Sequence, residues 1–548
     1  MAKLWMNMSS SPAMHRQQFG SNGSRWPQVR PVTESQASPG PAEGHYGPEK
    51  TSHRQILKSS ALIGFSTLIN VGLGIIRIKA MAVWLGPAGF GLMGVYSSIA
   101  DLSQSVAGMG VNASGVRQIA EAVGDGDSDK IARAVAVLRR TAALLGMFGA
   151  VMVVAFSRQI SVLTFGDGRH AMAVQLLSAT VLFGCMSGGQ TALIRGMRRI
   201  SDLVKVGILS ATLGTIVSLP IVCALREDGI VPSLVCGAAI SLLVSWRYSR
   251  KISIQTPSLT VAQLWHEASD LLKLGFALMA SALMMTGASY AIRVFILRKL
   301  GFDAAGLYQS AWSVGGVYIG VILSAMGTDF YPRLTAAAKD NDTCNRLVNE
   351  QTHVGILLAA PGVIATLTLA PLVVTMFYSA KFQEAVDVLR WLCLGMALRV
   401  ISWPMGYIIV ARGARNLFFW SELAWTTVYV TLAWIGVTAF GLNGAGVALF
   451  VSYIFHVLMT YVIARKLSGF RCSAGNLRIG ALFLGTLGSV FCGFHCLPYS
   501  IAMVVGLIAL ATTSIYCVRQ ILGLVSLSRI PGSMLKVLAW FRLAVATG

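Results

Sequence analysis

Residues Ile76–Gly94 read IRIKAMAVWLGPAGFGLMG. Arg77 and Lys79 stand near the end of a long apolar run, Leu85-Gly86 and Gly91-Leu92 bracket a short turn, and a second apolar run follows. The arrangement returns in Ile292–Tyr308, IRVFILRKLGFDAAGLY. There Leu300-Gly301 answers Leu85-Gly86 at an offset of 215, and Arg293 answers Arg77 at 216. A self-match at such a distance is not a short solenoid repeat. It predicts a whole helical bundle written twice, with a cation placed inside the membrane each time.

Composition points the same way. Of 548 residues, 55% are hydrophobic and only 12% charged, against about a quarter charged in soluble domains. Apolar runs of about 20 residues span a bilayer as helices. Fourteen are predicted: 57–83, 90–112, 141–163, 172–194, 204–225, 229–247, 271–297, 304–328, 353–377, 385–411, 416–439, 442–464, 478–497 and 501–525. The connections read as short, the longest being those before the seventh and ninth spans, and none is large enough for a soluble catalytic domain. A net charge of +22 on a soluble chain would suggest nucleic acid. Here 32 of the 44 Lys and Arg fall in the N-terminal segment through Lys58, in alternate connections and at the C-terminus. Positive-inside topology accounts for them, places both termini in the cytoplasm and requires no nucleic-acid partner.

Two further matches extend the repeat. Arg195-Gly196-Met197-Arg198 returns as Arg412-Gly413-Ala414-Arg415 at 217, and Arg250-Lys251 returns as Arg465-Lys466 at 215. The expected fold class is an all-α polytopic membrane protein with two pseudo-symmetric six-helix lobes in a parallel repeat, plus about two extra C-terminal helices. The expected divisions are a disordered cytoplasmic tail over 1–55, an N-terminal lobe over 56–252 and a C-terminal lobe over 268–467. Additional helices follow over 477–526, and a cytoplasmic tail over 527–548. The tail 1–55 is rich in Ser, Pro and Gly with few aliphatics, a composition that cannot build a core.

A charge in hydrocarbon is costly, so it faces a cavity or a partner. Candidates are Arg77, Lys79, Asp101, Arg293, Arg399 and Glu422. Bland readings exist for several. Lys79 could snorkel to the surface, Arg298 and Lys299 could be interfacial, Asp101 could pair with Arg77 or Lys79, and Glu422 with Arg415. Arg77 and Arg293 occupy matching places and are expected to face each other across the lobe interface. Guanidinium resists deprotonation and grips phosphate bidentately, so an anionic head group, phosphate or pyrophosphate, is the expected ligand. Arg77, Lys79 and Arg293 are the candidate pyrophosphate ligands. Asp101, Gln104, Asn70 and Arg399 are candidates to line the cavity or balance its charge, with Ser103, Asn112, Tyr290 and Gln309 as further polar groups.

No P-loop and no His-Glu-x-x-His occur, no Ser-His-Asp set can be assembled, and the nine Cys show no zinc spacing. No metal, cofactor, disulfide or catalytic residue is expected.

The stretch Trp84 to Tyr96, WLGPAGFGLMGVY, is followed by Gly108-Met109-Gly110-Val111, by GVRQIAE over 115–121 and by an acidic Gly-Asp turn at Gly124 to Asp127. With Asp329-Phe330-Tyr331-Pro332-Arg333-Leu334, these residues resemble the Wzx-type O-antigen translocases, over about residues 56 to 470. The resemblance implies two six-helix lobes around a cationic cavity in a bacterial inner membrane. It implies flipping of undecaprenyl-pyrophosphate-linked oligosaccharide between leaflets, with polysaccharide polymerase and chain-length machinery as further partners beside the lipid bilayer. The long N-terminal segment and fourteen rather than twelve spans depart from many relatives. A multidrug exporter of the same superfamily would favour acidic cavity residues. A membrane-embedded polysaccharide polymerase would need an extended extramembrane loop.

Overall fold

The computed structural model describes residues 48–252 and 260–524, and every described element is a helix. In order they are α1 (Pro48–Gly108), α2 (Val111–Asp125), α3 (Ser128–Ala155), α4 (Ser157–Phe165), α5 (Ala171–Gly196), α6 (Ile200–Leu225) and α7 (Ile230–Ser249). The second series is α8 (Val261–Ala336), α9 (Asn341–Thr368), α10 (Ala370–Phe377), α11 (Ala385–Ala411) and α12 (Arg415–Ser468), followed by α13 (Ala474–Cys496) and α14 (Tyr499–Leu524). Of the expected N-terminal tail only residues 48–55 are described, and they are helical, the start of α1. The rest of 1–55, and the tail over 527–548, lie outside the described residues.

Three of these helices are too long to be single spans. α1 has 61 residues and α8 has 76; at 1.5 Å per residue they would run about 90 and 110 Å, some three times a hydrocarbon core of about 30 Å. Each is broken by one non-helical glycine, Gly86 in α1 and Gly301 in α8, and α12 is broken likewise at Gly441. A fourth apolar stretch, Ile200–Ser249, is divided by the short 3-10 turn Arg226–Gly229. The ten apolar helical segments long enough to cross a membrane therefore supply fourteen spans among the described residues. The short α2, α4 and α10 are not spans.

Backbone conformation repeats with the sequence. Gly86 and Gly301, Arg198 and Gly413, Arg226 and Gly441 all have positive φ, and each pair is 215 residues apart. Left-handed backbone is unfavourable for a residue with a Cβ, so glycine is the expected occupant. The two arginines show that position in the fold, not residue type alone, sets the conformation. Arg226 at φ 53 is held by its own side chain, whose Nη1 donates to the Trp84 carbonyl at 2.9 Å.

Between these points the halves slip by two residues. Asp127 caps α3 and Asp340 caps α9, 213 apart, each accepting from the backbone N–H two and three residues on. Those bonds hold both carboxyls below the usual range, the Lys130 amide leading for Asp127 and the Thr343 hydroxyl for Asp340.

The caps also correct the predicted boundaries. α3 begins at Ser128 rather than near 141, and α9 at Asn341 rather than near 353. The expected long connection before the ninth span shrinks to four residues, 337–340. Hydropathy sees only the apolar part of a helix, and these helices extend as charged turns beyond it. The amphipathic α2, buried through Val111, Ser114, Gly115, Ile119 and Ala122, lies where a loop was expected.

The helices form a two-lobe transporter fold, with six spans from α1 to α7 and six from α8 to α12. α13 and α14 lean on α9. There the Asn476 amide nitrogen donates to the Asn349 carbonyl at 2.7 Å, and Asn476 Oδ1 stands 3.0 Å from His353 Nδ1. Arg390 of α11 lies 3.9 Å over the Phe494 ring of α13, a cation–π contact that a largely buried guanidinium makes stronger.

Candidate substrate cavity

The two kinked hairpins meet tip to tip. Past each kink a glycine lets backbones touch: a Cβ on Gly306 would overlap the Pro87 carbonyl oxygen, and one on Gly91 the Phe302 carbonyl oxygen. Small residues permit such approach inside a membrane. Aromatic rings seal the tip. Phe90 packs edge-on against Tyr378 and Phe382 at 5.4 and 5.8 Å, and Phe165 stacks on His170 at 4.0 Å and on Phe302 at 6.3 Å. His170 Nδ1 is 2.8 Å from the Tyr96 hydroxyl. Burial holds this imidazole's pKa down against the pull of Asp167. At the opposite end, the base, Gly110 and Gly275 make a second close approach between the end of α1 and α8.

Between tip and base lies a cavity of about 610 Å³. Ser98, Asp101, Gln104 and Asn112 line one wall, Ser289, Arg293, Tyr308 and Trp312 of α8 the other, and Arg399, Trp425, Tyr429 and Tyr453 its flank. Arg293 lies eight residues before Gly301, about 12 Å down the helix from the tip. Its Nε donates to Gln309 Oε1 at 2.8 Å and its Nη1 to the Ser289 carbonyl at 3.2 Å and to the Ser289 hydroxyl. Among the described residues Nη2 makes no hydrogen bond. Among the described residues the Arg399 guanidinium makes only a long contact, 3.9 Å, to Met396 Sδ. Asp101 forms no ion pair and no hydrogen bond with any protein group among the described residues. Two guanidiniums and one carboxylate thus face one space, with donors to spare.

The structure separates the remaining sequence candidates from this cavity. Arg77 is not in its lining. It precedes its glycine kink by nine residues where Arg293 precedes its own by eight, and one residue is a rotation of about 100° around a helix. The slip visible between the halves therefore turns Arg77 off the wall that carries Arg293, and the expected face-to-face pair does not form. Lys79 Nζ instead donates to the Thr375 carbonyl of α10 at 2.7 Å, tying the lobes near the tip. Asn70 lies against α6 near Gly207, with Oδ1 buried and without a partner. Neither pairing suggested for Asp101 or for Glu422 is an ion pair here. The aromatic flank escapes the sequence reading. Its signal is present there as Tyr308/Trp312 and Trp425/Tyr429, aromatic pairs four apart in otherwise aliphatic spans.

A second cavity, about 590 Å³, opens from the first into the N-terminal lobe and shares Asp101, Gln104 and Asn112 with it.

Comparison with known proteins gives the chain a family. The family model described as "Polysaccharide biosynthesis protein" matches residues 80–387. The chain is 26% identical over 416 residues to "Lipid III flippase" of Escherichia coli (strain K12), covering 73% of this chain and 95% of that one. It is 22% identical over 188 residues to "Teichuronic acid biosynthesis protein TuaB" of Bacillus subtilis (strain 168), covering 32% and 38%. Among solved structures it resembles the lipid II flippase MurJ in an inward closed conformation, with TM-score 0.62, 14% identity and coverage of 85% and 99%. It also resembles an inward-facing multidrug resistance MATE family transporter of the MOP superfamily, with TM-score 0.61, 15% identity and coverage of 74% and 99%. At these identities the solved structures speak for the fold alone.

Proposed function

The chain belongs to the polysaccharide biosynthesis protein family, and from that premise we propose that it flips a polyprenyl-pyrophosphate-linked oligosaccharide across a bacterial inner membrane. The observation that carries the reading is the inter-lobe cavity with Arg293 and Arg399 on its walls, both with uncommitted N–H groups. A pyrophosphate offers two anionic centres, and charge-assisted bonds from guanidinium are among the strong ones. The relative named a lipid III flippase, matched over nearly its whole length, supports the same substrate class. The Lys and Arg distribution supports an orientation with the base toward the cytoplasm and the tip toward the periplasm. Ion coupling is the proposed energy source, since the sequence carries no nucleotide-binding loop.

The test is leaflet accessibility of undecaprenyl pyrophosphate bearing a short glycan, in vesicles containing the purified protein. Arg293→Ala and Arg399→Ala should each slow flipping by roughly ten- to hundredfold, the worth of one charge-assisted contact. Transport by both variants at the wild-type rate and equal abundance would remove the cationic site. Export of cationic drugs without movement of the lipid would favour the multidrug reading instead.

A further inference from the structure

We propose that the recess inside the N-terminal lobe is the glycan subsite: it receives the sugars next to the pyrophosphate while the inter-lobe cavity holds the charged head. This rests on the flippase reading above and adds to it where the sugar goes.

The recess has its own chemistry. Its lining includes Ser97, Thr180, Ser187, Thr191 and Ser241, together with the shared Asp101, Gln104 and Asn112. Among the described residues no aromatic side chain lines it, and its one cation is Arg195, exposed at the end of α5. Hydroxyls donate and accept, amides present both functions side by side, and a carboxylate accepts from two hydroxyls at once. Such a wall matches a ligand made of hydroxyls and acetamido groups. The rest of the lining is small and apolar, with Ala100, Ala113, Val116, Ala192, Leu234 and Ala238, and suits the C–H faces of a pyranose, while a second anion would require more than one cation.

The polar groups at the junction are uncommitted. The side chains of Asp101, Gln104 and Asn112 make no hydrogen bond or ion pair to protein among the described residues, and they are exposed or half-buried where the two cavities join, open to a ligand. The wall behind them is stiff. Ser245 donates to Gln190 Oε1 at 2.6 Å, and the Ser187 hydroxyl lies 3.1 Å from that of Ser241 and 3.2 Å from that of Ser245.

Glycines make space for the two amides. A Cβ on Gly184 would strike the Gln104 side chain, and one on Gly188 would strike the Asn112 amide. The glycines of α5 thus let Gln104 and Asn112 lie flat at the threshold between the cavities. A head group on Arg293 faces Asp101 and Gln104 across the first cavity, so its first sugar reaches the recess over that threshold.

The experiment uses the full chain in vesicles with two lipids: undecaprenyl pyrophosphate bearing one N-acetylhexosamine, and the same lipid bearing a trisaccharide. The readout is the ratio of their flipping rates. Gly188→Val displaces Asn112. Thr191→Val removes one hydroxyl without changing shape, and that hydroxyl otherwise bonds only the Ser187 carbonyl of its own helix, so the fold survives. Each should lower the trisaccharide-to-monosaccharide ratio by roughly tenfold, about the worth of one lost hydrogen bond with a neighbour left unpaired. Arg293→Ala should slow both lipids and leave the ratio alone. An unchanged ratio in Thr191→Val, or an equal loss for both lipids, overturns the subsite while leaving the flippase reading intact. A wild-type protein that moves neither lipid overturns that reading, and the subsite with it.

Discussion

Arg293, in the cavity lining, holds its guanidinium by two edges, Nε on Gln309 and Nη1 on Ser289, and its Nη2 makes no hydrogen bond among the described residues. This arrangement makes charge and shape separable. Arg293→Lys keeps the charge but cannot hold Gln309 and Ser289 while presenting a planar donor, so it should restore part of the flipping lost in Arg293→Ala, within roughly tenfold of wild type. Full rescue would mean that charge alone matters there. His170 permits a pH prediction at the same scale. Burial lowers its pKa, so the closed tip prefers the neutral ring. The stability it contributes is complete above the ordinary histidine value of 6.5 and is lost as pH falls from there through the lowered value. Acidification should therefore widen the tip, measured as the distance between spin labels at Glu227 and Asp303, and His170→Phe should abolish that dependence. Single residues were only partly legible. Arg293, Arg399, Asp101 and Gln104 reach the cavity as their depth in apolar spans suggests. Arg77 and Lys79 share that depth, but depth does not report which way a helix face points, and one residue of register decided it.

The unit that joins the lobes is a glycine-bearing helix just past each kink. Gly306 and Gly91 meet through backbone, with no room for a side chain. Gly306→Val must force the hairpins apart, while Gly316, where an added Cβ would meet nothing within 4 Å, should accept Ala quietly. Gly306→Val is thus expected to lower the thermal midpoint of the detergent-solubilised protein and to expose the tip to thiol reagents at an introduced Phe302→Cys. A midpoint and reactivity equal to those of the unsubstituted background would show that the crossing carries no load. The kinks themselves were legible, since Leu-Gly recurs at a fixed spacing between apolar runs. Helix starts were not. A hydropathy window ends where charge begins, whereas α3 and α9 begin where Asp127 and Asp340 can accept backbone N–H groups, well into polar sequence. α2 escaped for a related reason, because its buried stripe is short and interleaved with charge.

At the scale of the whole molecule, the two lobes touch through rings and glycines at the tip and enclose a cavity below it. A lipid-linked substrate cannot leave through that seal, so transport by alternating access requires the tip to part. Phe165 of one lobe and Phe302 of the other stack with centroids 6.3 Å apart, a span that a short thiol cross-linker can bridge. Aromatic contacts of this kind are worth about 0.5 to 1.5 kcal/mol each, so the few at the tip make a latch that thermal motion or ligand binding can open, whereas a covalent link cannot be opened. With the nine native cysteines replaced, a protein carrying Phe165→Cys and Phe302→Cys should flip lipid-linked glycan before cross-linking, stop when a cleavable cross-linker is added, and resume on its reduction. Substrate binding, followed by quenching of Trp425 beside the cavity, should persist in the linked state, because the cavity walls are unaltered. Each single-cysteine protein treated with the same reagent controls for simple modification. Continued flipping by the linked protein would mean that the lobes need not part at this end, and that the substrate passes along the membrane-facing side of the lobes instead of through the space between Arg293 and Arg399.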